Sequence, residues 1–309
     1  MKGIAGLGLA LLLSAAAAFS AEPKPGTNGF DLSAAKVPKD QILGGGPGKD
    51  GIMSVDEPTF VPASEATWVK PETPVLAVTV GDTTRVYPVH LMEYHQIVND
   101  QFGELPIVVS YDPLAGVPRA FDATVAGEPA RFGVSGLIHN HGFLLYDRQS
   151  ESLWQQFNGR ALSGPRSGAT LRPLPIRQET LGGVLARHPR APVLTRPSPK
   201  AHNYSASPFR RYWDLNKLLF PVAAEDRSYH LKEMVLGVTV DGKQRAYLGS
   251  VATAAGGKVD DEFGGKRIRF VYDPDSATFA YEVPEGVQVI EAYWLAWKAF
   301  FPDTEVWHP

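Results

Sequence analysis

His139 and His141, separated by Asn140, are the residues of this chain whose type and spacing best suit a metal ion. On a β-strand, residues i and i+2 project from the same face, so the two imidazoles are expected to converge. Neutral imidazole ligates Zn and also suits Cu, Fe and Ni. A firm site needs a third ligand, for which His95 is the candidate, and Asp112 is a possible fourth. Three histidines with an open position would support hydrolytic or oxidative chemistry, whereas a filled site would suit storage, delivery or structure. The sequence has no Cys and only 4 Met, so Zn or Cu(II) is expected in preference to Cu(I).

A second reading keeps the histidines as hydrogen-bonded polar residues and treats the chain as a non-catalytic binding module. Its pocket would hold a small organic anion or a protein partner through Arg148, Arg119 and Trp154, with Asp147 and Tyr94 beside them. A third is a structural subunit of a larger envelope complex. Asp112 also has a plain structural reading, because Asp before Pro is a common turn starter. No Gly-x-Ser-x-Gly elbow is present, which counts against a serine hydrolase.

The elements that must position these residues occur twice. Val75-Leu76-Ala77-Val78-Thr79-Val80 matches Val235-Leu236-Gly237-Val238-Thr239-Val240, and each run leads through an Arg to a Tyr (Arg85 and Tyr87, Arg245 and Tyr247). Val98-Asn99-Asp100-Gln101-Phe102-Gly103 then matches Val259-Asp260-Asp261-Glu262-Phe263-Gly264, and both copies reach Tyr-Asp-Pro, at Tyr111 and Tyr272. Shared residues should report the scaffold. Function should sit in residues that one copy lacks, and His95, His139 and His141 are such residues. The hairpin signals around Gly81-Asp82 and Asp241-Gly242, the apolar run Pro106 to Tyr111, and strands at 130–134 and 137–146 predict a mostly β protein of the α+β class. Helices are expected at 181–188 and 292–301, each ended by Pro. The chain thus divides into a Gly/Pro-rich leader (21–60), a first unit enlarged by an insertion (61–200), a linker (201–230) and a shorter second unit (231–309).

Residues 1–20 read as a cleaved secretory signal: Lys2, an apolar stretch from Ile4 to Ala18, then small residues. That stretch is short for a membrane span, so stable membrane insertion is not expected. Export without cysteine fits a periplasmic or secreted protein. The formal net charge of -3 gives no electrostatic reason to expect nucleic acid as a partner.

The ordered motifs His95-Gln96-Ile97-Val98-Asn99-Asp100, Tyr111-Asp112-Pro113-Leu114-Ala115-Gly116, Phe132-Gly133-Val134-Ser135-Gly136-Leu137 and Tyr146-Asp147-Arg148 through Trp154 make the chain similar to a bacterial family catalogued as domain of unknown function 3179. The resemblance spans about 40–309 and implies exported or lipid-anchored proteins of undetermined activity. Members commonly carry Cys-x-x-Cys where this chain has Asp112 and Ala115. Thiol redox chemistry and thiolate ligation therefore do not carry over.

Overall fold

The computed structural model describes residues 24–197, 202–282 and 284–309; the expected signal segment, 1–20, lies outside them. The described residues are mostly β, with five sheets of three or more strands in a propeller-like arrangement and one two-stranded ribbon. Helices among the described residues are short connectors, none longer than seven residues, and none is long and apolar enough to cross a membrane.

Each half is built on the hairpin legible in its sequence. Pro74–Val80 pairs antiparallel with Thr83–Pro88, and Met234–Val240 with Lys243–Leu248. The second turn uses Asp241 (φ 47°) and Gly242 (φ 79°), since a two-residue turn matching strand twist needs positive φ at both positions. Both hairpins grow in the same way. Ile176–Thr180 adds antiparallel to the first strand and Val193–Leu194 parallel to the second; Val287–Tyr293 and Glu305–Val306 take these places in the other half. A short helix follows each hairpin, Val89–His95 or Gly249–Ala254. An antiparallel meander comes next: Ile97–Phe102, Leu105–Asp112 and Val117–Asp122, against Lys258–Phe263, Lys266–Asp273 and Thr278–Glu282.

The recurring residues join sheet to sheet. Arg85 Nη1 and the Tyr87 hydroxyl donate to the two oxygens of Asp100, at 2.5 and 2.6 Å. Arg245 and Tyr247 donate to Asp261 at 2.8 and 2.7 Å. Each guanidinium also lies over the Phe of the following strand, Phe102 or Phe263. One carboxylate thus ties each hairpin to the first strand of its meander.

The first half alone carries a further sheet, made of Phe132–His139, Gly142–Asp147, Leu153–Gln155 and Ala161–Ser163, with the leader strand Leu43–Gly44 at its edge. Leader residues Phe30, Leu32 and Ile42 are buried with Leu137, Leu144, Tyr146 and Leu153, so this Gly/Pro-rich segment shares the inserted sheet's core. The single strand expected at 137–146 is instead two. Asn140 (φ 52°) and His141 (φ 64°) form a tight turn, with His139 paired to Gly142. The helix expected from 292 starts at Trp294, because Val287–Tyr293 stays in the sheet along all of Met234–Val240.

Candidate functional site

That turn decides the fate of the histidine pair. His139 ends a strand and His141 sits in the turn itself, so the same-face geometry expected of a continuous strand does not apply. The half-buried His139 places Nδ1 2.9 Å from Gln155 Oε1. His141 is fully buried, stacked on Tyr212 and edge-on to Phe220, and its Nε2 accepts from Leu219 N at 3.4 Å. Burial pushes its pKa down to about 4. His95 lies elsewhere, at the end of helix Val89–His95, with Nδ1 2.9 Å from Met53 O and Nε2 2.7 Å from the Tyr204 hydroxyl. Each ring thus meets its own neighbours, and among the described residues no group of three or more His, Asp or Glu could hold a metal. The expected convergence of His95, His139 and His141 is therefore corrected.

Residues 202–230 explain why these positions differ between the halves. This linker runs across the first half as a strap, containing one short helix, Arg210–Trp213. The Tyr94 hydroxyl meets Asn203 O and Ala206 O, His95 meets Tyr204, Asn140 accepts from Ala223 N, and His141 meets Tyr212, Leu219 and Phe220. Several of the side chains singled out by the comparison of the halves are thus the strap's seats.

Asp112 is buried and accepts from Leu114 N, Ala115 N and Phe143 N at 2.9, 3.2 and 2.9 Å. It fastens its turn to the inserted sheet, and burial raises its pKa to about 6 despite those donors. Its counterpart Asp273 is exposed and holds only its own turn, through Asp275 N and Ser276 Oγ. Next in the turn, Ala115 O accepts from Tyr293 N at 2.7 Å. Gly116 (φ 65°) lies so close that an added Cβ would fall 2.8 Å from the Tyr293 ring. Asp147 and Trp154 bond each other, Trp154 Nε1 to Asp147 Oδ2 at 2.9 Å, inside the inserted sheet. Arg148 is exposed and donates to Asp50, Ser54 and Tyr146, an anchor for the leader.

Arg119 stands apart. It lies on Val117–Asp122, a strand packed against both Ile176–Thr180 and Val287–Tyr293, where the halves meet. Its position corresponds to Ala280 in the other meander, because Asp112 and Asp273 open equivalent pairings. The side chain is 9% exposed, its Nε has no partner, and no carboxylate among the described residues pairs with it. The Phe121 ring face lies 5.1 Å from the guanidinium, and Tyr281 is the phenol that acts on its charge. Burial lowers its pKa to about 10, so it remains charged at neutral pH. On the two strands packed against Val117–Asp122, Gln178 and Glu291 occupy equivalent places in the two halves, opposite Leu76 and Leu236. Gln178 N and the Tyr281 hydroxyl each donate to Glu291 Oε1 at 3.0 Å, while burial raises Glu291 to about 8. Tyr281 also lines an open cleft of about 600 Å³, bordered by charges of both signs: Arg177, Arg187, Lys258 and Arg269 with Glu179, Asp260 and Glu282.

Sequence reasoning placed Arg119 among the candidates but missed Gln178 and Glu291. A Glu inside the apolar run Val287 to Tyr293 was the available signal. Fold and site together define a mostly β protein with a buried, charged junction between two similarly built halves. The family model described as protein of unknown function (DUF3179) matches residues 49–286, and the chain belongs to that family. No curated protein and no solved structure matches it.

Proposed function

We propose that this chain is an exported, non-catalytic binding module for a small organic anion, with Arg119 as its charge anchor. One observation carries this reading: a guanidinium buried at the junction with no anionic partner among the described residues. Arg is almost never fully buried unless paired, and an uncompensated buried ion costs several kcal/mol. Glu291 does not pair with Arg119; its carboxyl accepts from Gln178 N and the Tyr281 hydroxyl instead. An anion bridging the guanidinium fork would supply the missing charge. The neighbouring cleft has the size of a small-molecule site and is reached by the Tyr281 side chain.

The shared hairpin order, meander and Arg–Tyr–Asp ties support an origin of the two halves by internal duplication. Under that origin Arg119 is a residue gained, or kept, by one copy only. Thermal shift and calorimetry with acetate, glycolate and phosphate on wild type and Arg119→Met test the reading. Binding by wild type that the variant lacks supports it; no binding by either protein refutes it. Elemental analysis of untagged protein is the companion measurement, and stoichiometric Zn or Cu would return the site to the imidazoles.

A further inference from the structure

The two meanders differ at their outer edge. Ile97–Phe102 and Lys258–Phe263 are equivalent strands, each the last of its sheet, and each pairs with the next strand in the same register, Phe102 opposite Leu105 and Phe263 opposite Lys266. In an antiparallel pair alternate residues turn their backbone N–H and C=O away from the partner strand. These are Ile97, Asn99 and Gln101 in the first half, and Lys258, Asp260 and Glu262 in the second.

In the first half the leader closes this edge. Val55 N donates to Ile97 O at 2.9 Å, and Asn99 N donates to Val55 O at 2.8 Å. The Asn99 side chain bonds the Phe132 backbone of the inserted sheet, and both Ile97 and Asn99 are buried. Leader and inserted sheet have no counterpart in the second half. There, among the described residues, nothing bonds Lys258 O or Asp260 N, and Lys258, Asp260 and Glu262 are exposed. Glu262 O meets Arg245 Nη1 at 3.4 Å, as Gln101 O meets Arg85 Nη1 in the other half.

An uncovered strand edge is a template for another strand, and charges along it decide which strand is admitted. The outward residues carry a cation at one end, Lys258, and an anion at the other, Glu262. Asp260 lies between them, already paired with Arg267 at 2.5 Å. Read in reverse, this order is its own complement. The antiparallel register that engages all three outward residues of two copies centres on Asp260 and sets each Lys258 opposite the partner's Glu262. The two Asp260 carboxylates meet on the axis, each offset by the Arg267 of its own chain.

We propose that the edge of Lys258–Phe263 is a self-association surface, where two copies of this chain pair antiparallel about Asp260 and join their second meanders into one sheet. A uniformly basic or acidic segment would match only one end of this edge, and an apolar one would match neither. Pairing one short strand from each chain buries less than the ~1,200 Å² at the lower end of standard interfaces, so the dimer is a weak one. Arg119 takes no part in it, and the proposal stands or falls apart from the anion reading.

Sedimentation equilibrium of the purified chain, from micromolar to millimolar concentration, tests the pairing. Wild type is expected to pass from monomer to dimer. Lys258→Glu sets like charges opposite each other at both ends and should raise the dissociation constant roughly tenfold. Adding Glu262→Lys restores both pairs in reverse order and should recover the wild-type value. Asp260→Pro removes an N–H that meets no strand of its own sheet, so it should abolish the dimer and leave the fold intact. The sequence has no Cys, so Asp260→Cys introduces one thiol. It should oxidise to a covalent dimer, since Cα atoms of a bonded antiparallel pair lie about 5.5 Å apart. Asp82→Cys, in the exposed turn of the first hairpin, is the control that should stay monomeric. A monomer at every concentration overturns the proposal. So does a dimer that Lys258→Glu and Asp260→Pro leave unchanged, or equal cross-linking of the two cysteine variants. Should Asp260→Pro fail to fold by circular dichroism, the charge reversal decides: a double variant no tighter than Lys258→Glu alone overturns the register.

Discussion

A guanidinium held out of water is stable only at the expense of the rest of the fold, and Arg119 is in that position. Replacing it with Met, of similar length and without charge, should raise stability in ligand-free buffer by about 1–3 kcal/mol, measured by urea denaturation. A drop would show that Arg119 serves packing. The opposite sign is expected at His141. Its ring fills space between Tyr212 and Phe220, so His141→Ala should cost about 2–4 kcal/mol and leave metal content unchanged. The histidines show how far single residues could be read from sequence. That they belong to the first half only was legible. Their separation was not, because it depends on two consecutive positive φ values at Asn140 and His141, within a run whose apolar residues look like one strand. Glu291 escaped because its role comes from pairing with a residue 113 positions earlier.

Among elements, the recurring Arg–Tyr–Asp tie and the strap make separate claims. Tyr87 and Tyr247 donate to Asp100 and Asp261 at 2.6 and 2.7 Å, so Tyr87→Phe and Tyr247→Phe should each lose about 1–2 kcal/mol. A large loss in one and none in the other would mean that the two hairpins are held differently. The strap is seated by Tyr94, His95, Asn140 and His141. Tyr94→Phe removes the hydroxyl that meets Asn203 O and Ala206 O, and should speed proteolytic cleavage within 202–210 before the sheets open. Hairpins and the central meander strand were readable because β-branched runs and Asp-Gly turns are local signals. The path of the strap was not: its Pro, Ser and aromatic residues carry no periodicity, and only the surface that it covers gives it shape.

For the whole molecule, burial of ionisable groups fixes the pH range of stability. Glu93, Asp112 and Glu291 have pKa values raised by burial to about 7, 6 and 8. The folded state holds these protons when the unfolded chain has released them, so their contribution declines as pH rises from about 4.5 to about 8. His90 and His141, lowered to about 4, act in the other direction, and their contribution declines as pH falls below about 6.5. The two trends oppose each other between those limits, giving a broad maximum in mildly acidic solution and a decline from pH 6.5 to 8. Thermal melts across this range should show that decline, and Glu291→Gln should flatten it. A melting temperature that climbs toward pH 8 would mean that these carboxyls are ionised in the folded protein.

The buried charge at the junction is tested most directly by thermal unfolding of wild type and Arg119→Met, each with and without millimolar glycolate at pH 7. Without ligand the variant is expected to melt higher, since it buries no unpaired charge. With glycolate only the wild type should move upward, because a ligand stabilises the folded state it binds. A variant that melts lower than wild type, with glycolate shifting neither protein, would contradict the account.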